Sequence, residues 1–119
     1  MEMRYLFKGK TICGDWVRGL LANNGDKWYI SNNAGRPFAF EIRPDTICQC
    51  TGLKDKNGKL IFENDIVTDN VIYGVVKWDD VNARYFIDDR EDGYQDYSEW
   101  WHEVKVIGNK FDNPELLEV

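Results

Sequence analysis

Residues 51–67 read "TGLKDKNGKLIFENDIV" and place two chain reversals between short apolar runs. The first reversal, "DKNG" at residues 55–58, predicts a tight turn because Asn and Gly adopt left-handed backbone conformations at low cost. The second, "END" at residues 63–65, separates the apolar runs "LIF" and "DIV". Apolar runs this short, with turns this close, are typical of β-strands rather than helices. The stretch therefore predicts a hairpin that leads into a further strand.

The same pattern continues on both sides of this stretch. Further predicted strands are "MRYLF", "DWVRGLLA", "KWYIS", "FAFEI", "TICQC", "YGVVKWDD", "ARYFIDD" and the run from Val104 to Ile107. The strands "DWVRGLLA" and "KWYIS" are joined by "NNGD", a strong hairpin signal. Near the end, "DNPELLEV" predicts a short helix, with Asn113 as its N-cap and Pro114 at its first position.

These elements predict a mainly β fold in a chain of 119 residues, a length that suits a single domain. Within it we expect N-terminal strands over residues 1–50, the signature hairpin and barrel over 51–107, and a short C-terminal helix over 113–118. The expected architecture is a bent antiparallel sheet or sheets. The succession "DIV … GVVKW" resembles the strands of SH3-like small barrels, so part of the fold is expected to be such a barrel.

Most of the negative charge lies in one region. Residues 79–103 hold nine acidic residues and two arginines, whereas the remainder holds 12 acidic and 13 basic residues. An acidic region repels phosphate and attracts cations or basic protein surfaces, which disfavours nucleic acid as the partner. No apolar run approaches the ~18 residues of a membrane span, and residues 1–10 lack the features of an export signal. A cytoplasmic location is expected.

Residues 88–99, "DDREDGYQDYSE", are spaced like an EF-hand calcium loop at several ligand positions. The third ligand position is Arg90, a fixed positive charge, and the preceding run "ARYFI" has a strand pattern where an EF-hand has a helix. We therefore predict no metal site here and no cofactor.

The sequence also predicts that the protein is not an enzyme. The single histidine, His102, has no serine or cysteine nucleophile placed near it by a motif, and phosphate-loop patterns are absent. Cys48 and Cys50 have no second cysteine pair to complete a zinc site, and are expected to be packed thiols.

Two tryptophans, Trp100 and Trp101, are adjacent, so in a strand they would point to opposite faces and could not both enter one core. An oligomer contact or partner surface and a local lid over the barrel end are both consistent with this placement. The candidate partner surface consists of Trp100, Trp101, Asp88, Asp89, Glu91, Asp92 and Asp96.

Three stretches together resemble the YopX family of phage and prophage proteins. The most specific is "IRPDTICQCTGLKDKNGKLIFENDIV", residues 42–67; "RYLFKGKTICGDWVRGLL" and "EVKVIGNKFDNPELLE" match the family's two ends in the same order. Asn64 stands where the family usually has glycine, and Lys8 where it usually has arginine. Asparagine tolerates positive φ better than other non-glycine residues, so the turn at residue 64 can be kept.

The resemblance implies a phage or prophage protein that acts inside the bacterial host cell, and it supplies no catalytic residues to carry over. The signature instead predicts scaffold positions, which are Gly52, Leu53, Asp55, Asn57, Gly58, Asn64 and Asp65. The favoured function is a non-catalytic module that binds a protein, encoded either by the host or by the phage. The alternative is nucleic-acid binding through a β-barrel face with Arg4, Lys8, Lys10 and Arg18. Self-association is compatible with either.

Overall fold

The computed structural model describes residues 5–31, 39–89, 93–95 and 100–117. The chain forms two compact units, residues 1–50 and residues 51–119. The described part is mainly β and contains two antiparallel sheets, which confirms the predicted fold class. No helix among the described residues is long and apolar enough to span a membrane. That the chain is one domain stays a prediction.

The first unit is built from an antiparallel succession of strands. They are β1 (Phe7–Lys10), β2 (Trp16–Asn24), β3 (Lys27–Ser31), β4 (Ala39–Ile42) and the start of β5 (Cys48–Lys54). The hydrogen-bonded order of this sheet is β4-β3-β2-β1-β5-β6, where β6 is Leu60–Phe62. The predicted β2–β3 hairpin is confirmed: Asn24 pairs with Lys27 across a two-residue loop. Gly25 in that loop has a φ of 71°, which glycine adopts without steric cost.

The core of the first unit packs closely against Gly9. A Cβ added at Gly9 would stand 2.5 Å from Cγ2 of Ile42, so the missing side chain leaves room for that buried isoleucine. Ile42 also forms an isolated bridge with Thr11, and the hydroxyl of Thr46 accepts the amide of Lys10 at 2.9 Å. Among the described residues, the strand predicted at "MRYLF" lies further along the sequence, over Phe7–Lys10. There Thr46 accepts a hydrogen bond from its backbone.

The second unit contains a five-stranded antiparallel sheet with the order β10-β9-β8-β7-β11. Its strands are β7 (Asp65–Thr68), β8 (Tyr73–Asp79), β9 (Arg84–Asp89), β10 (Gly93–Gln95) and β11 (Lys105–Asn109). Three residues of this sheet, Val67, Val76 and Ile87, belong to a buried cluster that also includes Ile61, Trp101 and Val104. Every residue of β7 is buried, because β7 is a central strand with β8 on one side and β11 on the other.

Two finer predictions are not confirmed. The SH3-like barrel portion is not seen, because the sheets are not closed in the described part of the chain. The short C-terminal helix is replaced by a single 3-10 turn, Pro114–Leu117. The amide of Leu116 donates to the carbonyl of Asn113, which is the three-residue spacing of a 3-10 turn. Residue 118, the last of the predicted helix, lies outside the described residues.

Candidate functional site

Asp55 connects the signature hairpin to the last strand of the second unit. Its Oδ1 accepts the backbone amides of Asn57 and Lys59, both at 2.9 Å. Its Oδ2 accepts the amide of Val106 in β11, also at 2.9 Å. Burial opposes ionisation of this carboxyl, but the hydrogen bonds from Val106, Lys59 and Asn57 outweigh it, so the pKa of Asp55 is lowered. Asp55 is therefore a buried carboxylate whose acceptor oxygens are used by the backbone.

The other signature residues also serve the fold. Oδ2 of Asp65 accepts the amide of Phe62 at 2.8 Å, so this carboxylate bonds the backbone on the other side of its turn. Asn64 has a φ of 72° and Gly58 a φ of 82°, so these two predicted left-handed positions are present, whereas Asn57 does not have a positive φ. Leu53 packs against the core cluster. Gly52, within β5, has a φ of 84°.

Trp101 does not belong to an exposed partner surface, and that part of the prediction is wrong. Its side chain is only 8% exposed and lies in the core cluster of the second unit. The two tryptophans are in a 3-10 turn, Trp100–His102, rather than in a strand. Successive side chains of such a turn project in different directions, so Trp101 enters the core without requiring the same of its neighbour. The side chain of Trp100 lies outside the described residues.

The acidic stretch begins as a β-hairpin rather than as a calcium loop. Asp88 and Asp89 are the last residues of β9, and they pair with Tyr94 and Gly93 of β10. Oδ2 of Asp88 forms an ion pair with Nζ of Lys77 on β8, at 2.5 Å. The side chain of Asp89 and the residues Glu91, Asp92 and Asp96 lie outside the described part. The structure therefore brings Asp88 together with a lysine, and the rest of the predicted acidic surface stays a prediction.

An exposed apolar hairpin end, residues 78–83, was missed by the sequence interpretation. We call it the β8–β9 tip. Val81 at its apex is 91% exposed and Trp78 is 43% exposed. The ring of Trp78 meets that of Tyr85 on β9 edge to face, with centroids 4.9 Å apart. The signal that could have revealed this tip is a single valine within the polar turn "DDVNA".

Asp79 accepts three hydrogen bonds within the β8–β9 tip. Its Oδ1 accepts the amides of Val81 at 3.0 Å and Asn82 at 3.3 Å, and its Oδ2 accepts the side-chain amide of Asn82 at 2.8 Å. The hydrogen bond from the Asn82 side chain is the largest cause of the lowered pKa of Asp79. Because the loop backbone is fixed by a charged side chain, Val81 is presented on an ordered turn.

The first unit carries the basic residues named for nucleic-acid binding. Nζ of Lys8 lies 5.0 Å from the centre of the Trp16 ring, and Nζ of Lys10 lies 5.5 Å from it. Arg18 pairs with Lys8 across β1 and β2, which places its side chain on the same face of the sheet. Arg4 lies outside the described residues. Three of the four predicted basic residues thus share one face around a tryptophan.

The three cysteines differ in their exposure to solvent. Cys48 and Cys50 are fully buried in β5, as predicted for packed thiols, and Cys13 is exposed. Sγ of Cys48 lies 3.3 Å from the carbonyl oxygen of Thr46.

Comparison with protein families identifies the family of the chain. No curated protein matches the sequence. The family model described as "YopX protein" matches residues 8–118, nearly the whole chain and every strand described above except the first residue of β1. Because the match covers far more than half of the chain and includes the hairpin built around Asp55, the chain belongs to the YopX family.

Proposed function

We propose that this YopX-family chain is a non-catalytic protein-binding module that acts as an accessory protein of a phage or prophage in the bacterial cytoplasm. The observation that carries the proposal is the β8–β9 tip, where Val81 and Trp78 are exposed on a turn fixed by Asp79. Ordered apolar and aromatic side chains at a protruding turn lose little conformational entropy when a partner covers them.

A non-catalytic role is supported by the way the signature uses its polar groups. Asp55 and Asp65 accept backbone amides, and the hydroxyl of Thr51 donates to the carbonyl of Ile61 at 2.8 Å. All three side chains are buried. Their hydrogen bonds connect turns and strands, so these side chains have a structural role.

The charge of the chain indicates the chemistry of the partner. The tip begins the region in which nine acidic residues accompany two arginines. A surface of this sign attracts a basic protein surface, and the attraction weakens as salt is added. We therefore expect the partner to bring lysine or arginine residues around an apolar contact to the tip.

The test compares two valines of the second unit in a capture experiment from bacterial lysate. Val81→Ser removes the apolar apex of the tip, and Val71→Ser makes the same change at a residue that is 82% exposed in the β7–β8 loop. We expect a captured protein to be lost with Val81→Ser, retained with Val71→Ser, and released by moderate salt. Equal capture by both variants would place the contact elsewhere.

Nucleic-acid binding through a small β-barrel face is the second candidate, and it includes the finer expectation of an SH3-like barrel. The observation in its favour is the face with Lys8, Lys10 and Arg18 around Trp16. An aromatic ring beside cationic side chains is the combination that stacks bases and neutralises phosphates. The overall charge of −6 opposes this function.

A titration with a labelled single-stranded oligonucleotide distinguishes this candidate. Lys10→Gln removes a cation beside Trp16, and Lys27→Gln is the matched control, since Lys27 is an exposed partner of Glu41 at 3.8 Å on the same unit. Tight binding with a steep salt dependence, weakened by Lys10→Gln alone, would favour nucleic acid. Binding that is absent at low salt would leave the protein-binding proposal as the better one.

A further inference from the structure

We propose that Asn24 is a site of spontaneous deamidation, whereas Asn57, the other asparagine followed by glycine, is protected by the fold. Asn-Gly occurs in this sequence at residues 24–25 and 57–58. Both glycines have similar backbone conformations, with φ of 71° at Gly25 and 82° at Gly58. Neither has a neighbouring atom within 4 Å of the position that a Cβ would occupy. The two sites therefore share the reacting dipeptide, a left-handed glycine and open space beside it.

The chemistry requires the backbone nitrogen of the glycine as the nucleophile. That nitrogen, after losing its proton to base, bonds to Cγ of the asparagine side chain, and the side-chain nitrogen leaves as ammonia. Water then opens the resulting five-membered imide at either of its two carbonyls. The products are aspartate or isoaspartate, so the net reaction consumes one water and releases one ammonia. Glycine favours the reaction because it places no side chain in the path of ring closure.

At residues 57–58 the structure ties down the reacting atoms. The amide of Gly58 donates to the carbonyl of Asp55 at 3.0 Å, and the amide of Asn57 donates to Oδ1 of Asp55 at 2.9 Å. The same carboxylate is itself held by Val106. For the Gly58 nitrogen to turn towards the Asn57 side chain, the turn must first release these bonds, which makes the reaction depend on local opening.

At residues 24–25 the backbone of Asn24 is paired with Lys27 at the end of β2, but the two reacting groups are not held by hydrogen bonds. Within the described residues, the Gly25 amide makes no hydrogen bond, and neither does the exposed side chain of Asn24. The nearest side-chain hydrogen bond of the hairpin is made by Asn23, whose Nδ2 donates to the carbonyl of Lys27 at 3.2 Å. The nucleophile and the target carbon at this site are therefore both accessible to base and water.

The test is peptide mapping by mass spectrometry after the full chain has been incubated in mildly alkaline buffer. We expect Asn24 to deamidate roughly tenfold or more faster than Asn57, because reaction at Asn57 requires the Gly58 amide to release its hydrogen bond to Asp55. The protein should also gain one negative charge in ion-exchange chromatography. Asn24→Gln should abolish this early acidic species without altering the slow reaction at Asn57.

A parallel incubation in concentrated urea isolates the contribution of the fold. When the turns are unfolded, the two sites have the same reacting dipeptide, and we expect their rates to converge. Equal rates at the two sites in the folded chain, or faster reaction at Asn57, would overturn the proposal. So would a tenfold difference that persists in urea, because the cause would then be sequence and not structure.

Discussion

At the scale of single residues, Asp55 shows how a side chain in a turn can organise distant backbone. A carboxylate has enough lone pairs to accept three backbone amides, from Asn57, Lys59 and Val106. An asparagine has one acceptor oxygen and would turn a donor towards one of the amides. The position therefore requires a carboxylate, although its surroundings are largely buried.

Asp55→Asn should lower the free energy of unfolding by about 2–3 kcal/mol, because it leaves a buried amide without an acceptor. Urea unfolding followed by tryptophan fluorescence measures the change. Asp26→Asn, in the exposed β2–β3 loop, is the matched control and should change stability little. A loss of similar size in both variants would show that the hydrogen bonds of Asp55 are not its cause.

The lowered pKa of Asp55 predicts a dependence on pH. A carboxyl whose pKa is lower in the folded chain adds stability above its unfolded pKa, about 3.9, and loses it as the pH falls through the folded value. We expect the stability difference between the wild type and Asp55→Asn to be constant near neutral pH and to shrink below about pH 4. Urea titrations at several pH values measure it. A difference that grew on acidification would contradict the hydrogen-bonded carboxylate.

The sequence predicted the hydrogen bonds within the turn but not the bond between Asp55 and the distant Val106. The turn at residues 55–58 and the scaffold role of Asp65 depend on residues a few positions apart. The bond from Val106 joins residues 51 positions apart, and no pattern within the hairpin indicates that β11 is its partner. Trp101 was misplaced for a similar reason, because its burial depends on a core contributed by distant strands.

At the scale of elements, the strands were well predicted because their turns have strong local signals. The loop between β2 and β3 and the reversals of residues 51–67 are observed at the positions that glycine and asparagine predict. The strand at "TICQC" begins later than expected, since Thr46 ends the 3-10 turn Pro44–Thr46 and β5 starts at Cys48. The β8–β9 tip escaped prediction because exposure of one valine depends on packing that periodicity does not describe.

Gly74 in β8 provides a test of packing between strands. A Cβ at this position would overlap Cγ2 of Ile87 and stand 3.2 Å from the carbonyl oxygen of Asp88. Gly74→Ala should therefore destabilise the second unit by about 1–3 kcal/mol, as overpacking of a core does. The unfolding free energy in urea is the measurement. Val81→Ala, a change at an exposed residue of the next turn, should have almost no effect and serves as the control.

At the scale of the whole molecule, the two units differ in charge. Residues 1–50 contain seven basic and five acidic residues, and residues 51–119 contain eight basic and sixteen acidic residues. The excess negative charge is thus confined to the second unit. Repulsion among its carboxylates opposes compactness, and salt reduces that repulsion.

Stability should therefore rise with salt between about 0.01 M and 0.15 M, where the screening length falls from about 30 Å to about 8 Å. Urea unfolding at the two concentrations measures the change at neutral pH. The increase should shrink near pH 4, where part of the carboxylates are neutral. A fall in stability on adding salt would mean that attractive ion pairs such as Lys77–Asp88 outweigh the repulsion.

The bond between Asp55 and Val106 also imposes an order on how the protein is made. Synthesis proceeds from the N-terminus, so the hairpin of residues 51–67 is synthesised before its partner strand β11. Until then Oδ2 of Asp55 can accept hydrogen bonds only from water, and the sheet lacks its edge strand β11. The second unit is thus completed only after β11 has been synthesised. Any nascent chain cut short before β11 is left with an unfinished sheet that proteases and chaperones can recognise.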